Sequence, residues 1–254
     1  MTKVRTKKHL GQHFLLDKNI AETIVNLLDY KHNKNILEVG PGMGILTDVL
    51  IKKEKDLSVI EIDEESIHYL KSRYPETSIR IIQFDFLKIE FSQYFNSPVS
   101  IIGNFPYNIS SQILFKVLDN KDQITELVGM FQMEVAQRVA ALKGRKRGIL
   151  SVLIQAFFHV EYCLTVDENV FNPIPKVKSG VIRLNRNNRK ELNCNESQFM
   201  KIVKTAYNQR RKTLRNSIKG FNLNENLELK ELLKKRAEDL SVEEFITITR
   251  NVKQ

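Results

Sequence analysis

Along the first two-thirds of the chain, short apolar runs alternate with stretches in which apolar residues recur at helical spacing. Residues 35–39 (NILEV), 57–62 (LSVIEI), 79–84 (IRIIQF) and 99–103 (VSIIG) are compact, Ile- and Val-rich, and read as buried strands. Between them, 45–53 (ILTDVLIKK) and 64–74 (EESIHYLKSRY) repeat at helical spacing, the second with acids in its first turn, where the helix dipole favours them. Residues 110–119 (SSQILFKVLD) form a helix with a serine start. A fifth strand fits 125–133 (TELVGMFQM), and a helix fits the EVAQRVAALK that follows. This alternation predicts βαβ units and a mostly parallel sheet. Residues 149–158 (ILSVLIQAFF) fit a buried helix or a strand equally. Residues 159–166 and 180–185 read as late strands, forming a hairpin at the sheet edge.

The pattern changes near residue 185. The polar stretch NRNNRKELNCNES reads as a linker, and beyond it apolar positions keep helical spacing only. Helices are expected over 199–207, 227–240 and 241–252, the last opening with Ser241 and Glu244 in a capping-box arrangement. These patterns predict an α/β domain over 1–187 and a small all-helical domain over 188–254.

Charge adds a partner. Lys plus Arg number 40 against 30 Asp plus Glu, a net charge of +10. The excess is clustered: in Lys3, Arg5, Lys7 and Lys8, in KGRKR at 143–147, and in 201–220, which has seven cations and no acid. Such clusters are the footprint of a polyanion, here nucleic acid. No segment approaches the roughly 20 apolar residues of a membrane span. The basic N-terminus lacks the apolar stretch of a signal peptide, so the cytoplasm is expected. Cys163 and Cys194 stand far apart and outside any CxxC, so neither a metal site nor a disulfide framework is expected.

The chemistry gathers at predicted strand ends. EVGPGMG (38–44) follows the first strand and opens a helix, the setting in which bare backbone N–H groups meet a ligand. Gly40, Gly42 and Gly44 do not match the GxGxxG spacing of a dinucleotide site, and no Gly-Lys-Ser/Thr follows for a triphosphate. Glu61 ends the second strand, where a carboxylate can accept from ribose hydroxyls. Asp85 follows the third, placed to accept from an adenine amino group. An adenosine cofactor is expected, S-adenosylmethionine first and NAD second. NFPY (104–107) follows the fourth strand beside the same crevice. An exocyclic base amine is a poor nucleophile, because its lone pair is delocalised into the ring. Two acceptors can localise that pair: the Asn104 amide oxygen and a backbone carbonyl of the rigid Pro106 segment. Tyr107 can stack on the base.

These stretches resemble the ribosomal RNA adenine N6-dimethyltransferases, and in particular their bacterial small-subunit (16S) branch. KKHLGQHFLLD, EVGPGMG, EID (61–63), NFPYNISS, FQMEVAQRV, FNPIPKVKSGVIRL (171–184) and NQRRKTLRNSIK (208–219) follow in family order across nearly the whole chain. The family usually has Leu at the position of Phe105 and often Asn at that of His13, and a longer C-terminal domain is common. The resemblance implies the Rossmann-like sheet of a class I methyltransferase with S-adenosylmethionine as cofactor. Gln12, His13 and Leu15 would close over that cofactor. Gly40 would meet its methionine part, Glu61 the ribose, Asp85 and Phe86 the adenine end, with Asn104 alongside. Asn104 and Pro106 would hold the target amine, and Tyr107 and Phe171 would sandwich the flipped adenine, although from the residues alone Phe171 reads as core. Arg210, Arg211 and Lys212 would grip RNA, with Arg138 and Arg147 as further candidates. The implied reaction is dimethylation of two adjacent adenosines near the 3′ end of 16S rRNA in an assembling small subunit, by a monomer. The macrolide-resistance 23S rRNA methylases share the NxPY motif and are the rival within the chemistry. A non-catalytic assembly factor is the rival outside it.

Overall fold

The computed structural model describes residues 4–7, 10–31, 34–53, 55–75, 79–224 and 226–253. Lys3 and Lys8 of the N-terminal basic cluster lie outside them. The chain begins with β1 (Phe14–Leu15), α1 (Lys18–Val25), β2 (Asn35–Val39), α2 (Thr47–Leu50), β3 (Asp56–Glu61), α3 (Glu64–Arg73) and β4 (Arg80–Gln83). It continues through α4 (Phe91–Tyr94), β5 (Val99–Asn104), α5 (Ser110–Asp119), β6 (Ile124–Gln132), α6 (Met133–Ala140), α7 (Ile149–Gln155), β7 (Phe158–Val166), β8 (Phe171–Asn172) and β9 (Ser179–Arg186). It ends with α8 (Glu196–Asn208), α9 (Leu214–Ser217), α10 (Leu227–Leu232) and α11 (Val242–Arg250).

Seven strands form one sheet in the order β4-β3-β2-β5-β6-β9-β7. The first five pair in parallel, and β9 pairs antiparallel with β6. This is the expected mostly parallel α/β sheet. The chain enters at β2, winds outward to β4, then crosses back to β5, so strand order reverses between β2 and β5. Loops leaving two such strands diverge and open a crevice at their carboxyl ends. Asp17 and Asp63 start α1 and α3 by accepting from the first backbone N–H groups.

Residues 149–158 resolve as helix then strand. The Gly148 N–H donates to Ser151 Oγ at 2.9 Å and starts α7, and Phe158 opens β7. β7 and β9 are neighbours at the sheet edge, as expected, but β8 leaves that edge to pair with β1. The expected helix over 227–240 is broken. α10 stops at Leu232, and the carbonyls of Leu233 and Lys235 accept from the N–H groups of Arg215 at 2.9 Å and Leu214 at 2.8 Å. A single 3-10 turn over Ala237–Asp239 follows.

Two compact units emerge: residues 1–136 with 160–186, and 137–159 with 187–254. Residues 137–159 therefore cluster with the C-terminal helices, whereas a boundary at 187 alone would assign them to the sheet. In the first unit the core joins α1, β2 and β3 through Ile24, Val25, Ile36 and Val59. In the second, α8 packs against α7 and α11 and buries Ile202, Val203, Phe245 and Ile248. No described helix is long and apolar enough to cross a membrane.

The sheet leaves room for the Phe105 ring. Gly103 of β5 and Gly129 of β6 are in register, and the Phe105 ring lies over both, 4.9 Å from Phe131. A Cβ at Gly129 would stand 2.7 Å from the Phe131 ring and closer still to Phe105. Gly129→Ala should therefore destabilise the fold by about 1–3 kcal/mol through overpacking, read as a lower urea midpoint at unchanged slope. A midpoint equal to wild type would show that the two rings can give way.

Candidate active site

The glycine loop starts where β2 ends. The Gly40 N–H donates to the Ile60 carbonyl at 2.9 Å, extending the pairing one step. Gly40 then turns to φ +66°, and no heavy atom lies within 4 Å of where its Cβ would stand. The backbone here is bare toward the crevice. Gly42, at φ +55°, is closed in instead: a Cβ there would stand 2.7 Å from the Phe14 ring.

Glu61 ties this loop to the end of β3. Its Oε1 accepts from the N–H groups of Ile62 at 2.8 Å and Asp63 at 2.9 Å, and its Oε2 faces the Gly42 N–H at 3.4 Å. Burial pushes the carboxyl up from its ordinary value, and the three N–H groups pull against it.

A cavity of about 280 Å³ opens over these groups. Of the residues expected at the site it is lined by Gln12, His13, Gly40, Glu61, Asp85, Phe86, Asn104, Pro106 and Tyr107. Leu15 is not among them. It is 3 % exposed in the core, and Phe14 beside it lines the cavity. The N-terminal segment is held down at Asp63, which pairs with Lys7 Nζ and accepts from Gln12 Nε2 at 3.3 Å. The Lys7 N–H returns to Gln12 Oε1 at 2.8 Å. Burial would raise the Asp63 carboxyl, but the hydrogen bonds from Lys7, Ser66 and Gln12 outweigh it and the pKa falls. Asp85 accepts from the Leu87 N–H at 2.9 Å, and Phe86 is buried beside it.

The NFPY turn is fixed from both sides. Asn104 Nδ2 donates to the His13 carbonyl at 2.8 Å, which determines which way the amide faces. Its Oδ1 accepts from no described residue. The Pro106 carbonyl already accepts from the Ile109 N–H at 3.3 Å and Ser110 Oγ at 3.5 Å. Among the described residues, the Phe105 carbonyl accepts no hydrogen bond. Tyr107 Oη is 2.6 Å from Ser179 Oγ, and its ring stacks on His13 with centroids 5.4 Å apart. Burial raises the Tyr107 pKa, with the Ser179 hydrogen bond opposing. His13 Nδ1 lies 2.7 Å from the Pro173 carbonyl, so Nδ1 carries the proton.

Phe171 departs from the expected sandwich. It pairs with Leu15 across β1 and β8, is 2 % exposed, and belongs to the core. The ring against Tyr107 is His13.

The basic candidates divide in the same way. Arg147 is not at the surface. It is 2 % exposed and donates to the Ala141 carbonyl at 2.9 Å, just past the end of α6, and to Gln155 Oε1 at 2.7 Å on α7. Arg210 is tied to Glu238 at 2.7 Å and to the Arg145 carbonyl at 2.7 Å. The Gly144 N–H donates to the Glu238 carbonyl at 2.9 Å, so Glu238 and Arg210 together pin the 143–147 segment. Arg211 and Lys212 are exposed on the turn that follows α8, not on a helix. Arg138 is exposed in the last turn of α6.

Sequence reasoning passed over Asp63, Phe14 and Glu38. The signal for Glu38 was present: an acid inside an apolar strand. Glu38 is 1 % exposed, accepts from Thr47 Oγ1 at 2.6 Å, and shares a small cavity with Gly40 and Asn104. Burial pushes its pKa up from 4.5 to about 8. A carboxyl raised by folding contributes fully below its unfolded pKa, and that contribution is lost as pH rises through the folded value. Glu38→Gln should match wild type near pH 4.5 and exceed it increasingly toward pH 8. The gap should grow by at most about 1.4 kcal/mol per pH unit. Urea unfolding across that range, without added cofactor, reads it. A gap independent of pH would mean that Glu38 is ionised throughout.

A sequence model described as ribosomal RNA adenine dimethylase matches residues 3–254. A protein named ribosomal RNA small subunit methyltransferase A from Flavobacterium johnsoniae is 54% identical over 99% of this chain and 97% of its own length. The protein of that name from Bacteroides thetaiotaomicron is 54% identical over 100% of this chain and 96% of its own. Among solved structures, a dimethyladenosine transferase from Plasmodium falciparum superposes with TM-score 0.79 at 24% identity, over 93% of this chain and 96% of that one. A 23S rRNA methyltransferase, ErmE, superposes with TM-score 0.75 at 22% identity, over 95% of this chain and 100% of that one. These two share the fold.

Proposed function

Since the chain belongs to the ribosomal RNA adenine dimethylase family, we propose that it carries methyl groups from S-adenosylmethionine to N6 of two adjacent adenosines near the 3′ end of 16S rRNA, in the assembling small subunit. The observation that carries the reading is the meeting of Asn104, with a free amide oxygen, and the bare Gly40 backbone in one crevice with Glu61.

The residues fit the cofactor. The open backbone at Gly40 admits a methionine part, the Oε2 of Glu61, with one long contact to the Gly42 N–H, can also accept from a ribose, and Asp85 with Phe86 offers an acceptor beside an apolar wall. S-adenosylmethionine supplies a methyl already activated on a sulfonium, so no strong base is required. What remains for the protein is positioning, which can contribute about 7–11 kcal/mol. Asn104 Oδ1 and the Phe105 carbonyl accept the two N6 hydrogens of the target adenine and localise its lone pair on nitrogen. Pro106 limits the conformations of that turn. Tyr107, anchored at Ser179, gives the extruded base a stacking surface. Arg211 and Lys212 attract the RNA backbone, with Arg138 a further contact.

The 23S-type rival shares the fold, so superposition does not separate the two. The 54% identity to small-subunit enzymes favours the 16S substrate. The protein acts as a cytoplasmic monomer in this reading.

Labelled methyl transfer to small subunits lacking dimethyladenosine, run beside naked 23S rRNA, tests the reading. Label on adjacent adenosines of the small subunit is expected. Label on 23S rRNA alone overturns it. Asn104→Ala should lower turnover by about two orders of magnitude through lost positioning, with cofactor affinity near wild type. Undiminished turnover would remove Asn104 from the chemistry.

A further inference from the structure

The C-terminal unit has a cavity of its own, about 530 Å³, within the roughly 300–1,000 Å³ typical of small-ligand pockets. It lies where α9 runs into the segment that follows it. Arg215 and Lys219 line it together with Phe221 and Asn222. Ile218 and Leu233, both 1 % exposed, form an apolar base.

The segment that carries the ring is held by backbone. The Phe221 N–H donates to the Ile218 carbonyl at 3.0 Å, the Lys253 N–H donates to the Asn222 carbonyl at 2.8 Å, and Leu223 bridges to Val252. Phe221 is half-buried, and the Lys201 ammonium stands 6.0 Å from its ring centroid. From 197 to 224 the chain contains no Asp or Glu. Arg211, Lys212, Arg215 and Lys219 are all exposed there.

Cations alone would make a solvated face that attracts any polyanion. A concave site that brings cations together with an aromatic ring and an amide asks for more. Its ligand carries negative charge, a flat apolar face and a hydrogen-bonding edge, the three properties of a nucleotide. We propose that this cavity takes one unpaired nucleotide of the RNA strand, with its phosphate between Arg215 and Lys219 and its base against Phe221 and Asn222. Single-stranded segments are where proteins read RNA bases, by stacking and by contacts to base edges. The inference rests on the rRNA substrate proposed above and adds a second point of attachment, separate from the target adenine.

The test uses the full chain and a fluorescent single-stranded RNA hexamer, compared with the same hexamer made abasic and with adenosine monophosphate. Phe221→Leu keeps apolar bulk and removes the ring. It should weaken hexamer binding about 5- to 150-fold, the range of one base–aromatic stack, and leave the abasic strand unaffected. Lys219→Ala, at an exposed position, should lower the salt slope by about 0.7. A hexamer carrying 5-bromouridine should photocrosslink at Phe221. Wild-type hexamer affinity in Phe221→Leu, or crosslinks that avoid 221, overturns the site. Adenosine monophosphate binding as tightly as the hexamer overturns the strand in favour of a free nucleotide. Methyl transfer to small subunits is measured on the same preparations. Label without dependence on Phe221 for RNA binding sinks the cavity and keeps the enzyme reading. Dependence on Phe221 without label does the reverse.

Discussion

The crevice hangs on one carboxylate. Glu61 sits at the last position of β3, and its oxygens meet three backbone N–H groups, two from its own turn and one from the glycine loop of the neighbouring strand. A buried carboxylate without such partners would cost several kcal/mol and would take up a proton instead. With them, it fixes two loops at once. Oε1 is satisfied by Ile62 and Asp63 at normal lengths. Among the described residues Oε2 has the long contact to Gly42 alone, so the hydrogen bonds that hold the loops leave it able to accept once more, from a ribose in the proposed reading. Two residues on, Asp63 repeats the device, capping α3 while receiving Lys7 and Gln12 from the N-terminal segment. The roof of the cavity is thus attached to the end of the strand that forms its floor.

His13 makes the corresponding connection on the substrate side. Its carbonyl orients the Asn104 amide, its ring covers Tyr107, and its Nδ1 reaches the Pro173 carbonyl. The N-terminal segment that lines the cavity at Gln12 and His13 is therefore the segment that orients the Asn104 amide. In the proposed reading, a methyl donor in that cavity and an amine held by Asn104 would be placed by one stretch of backbone. This suits a transfer whose main requirement is alignment.

Much of this was legible in the sequence, and what was not shares a physical character. Strand positions, the alternation and the glycine loop with Glu61 and Asp85 follow from local periodicity and spacing. The departures all depend on tertiary partners that local periodicity does not announce. Phe171 is core because β8 leaves the sheet edge to pair with β1, which no local pattern around 171 announces. Arg147 turns inward because the carbonyl just past α6 and a glutamine on α7 converge on it. The helix expected to run to 240 stops early because N–H groups at 214 and 215 take its carbonyls. Glu38 differs, since its oddness was visible and only its consequence, a carboxyl that holds its proton near neutral pH, needed the burial.

The same contrast bears on how substrate choice is encoded. The sheet belongs to a fold shared with a 23S rRNA methyltransferase and a dimethyladenosine transferase, so the fold by itself does not specify the target. Charge by itself does not specify it either, because part of the basic excess is internal: Arg147 is buried, and Arg210 serves Glu238 and the 143–147 segment. Among the exposed cations after α8, Arg215 and Lys219 line a concave site together with the aromatic Phe221. A solvated basic face binds all polyanions alike, whereas a cavity that requires a base distinguishes an unpaired strand from a duplex. Selection of the RNA then lies in where cations stand beside a ring, a property of tertiary packing that net charge does not report.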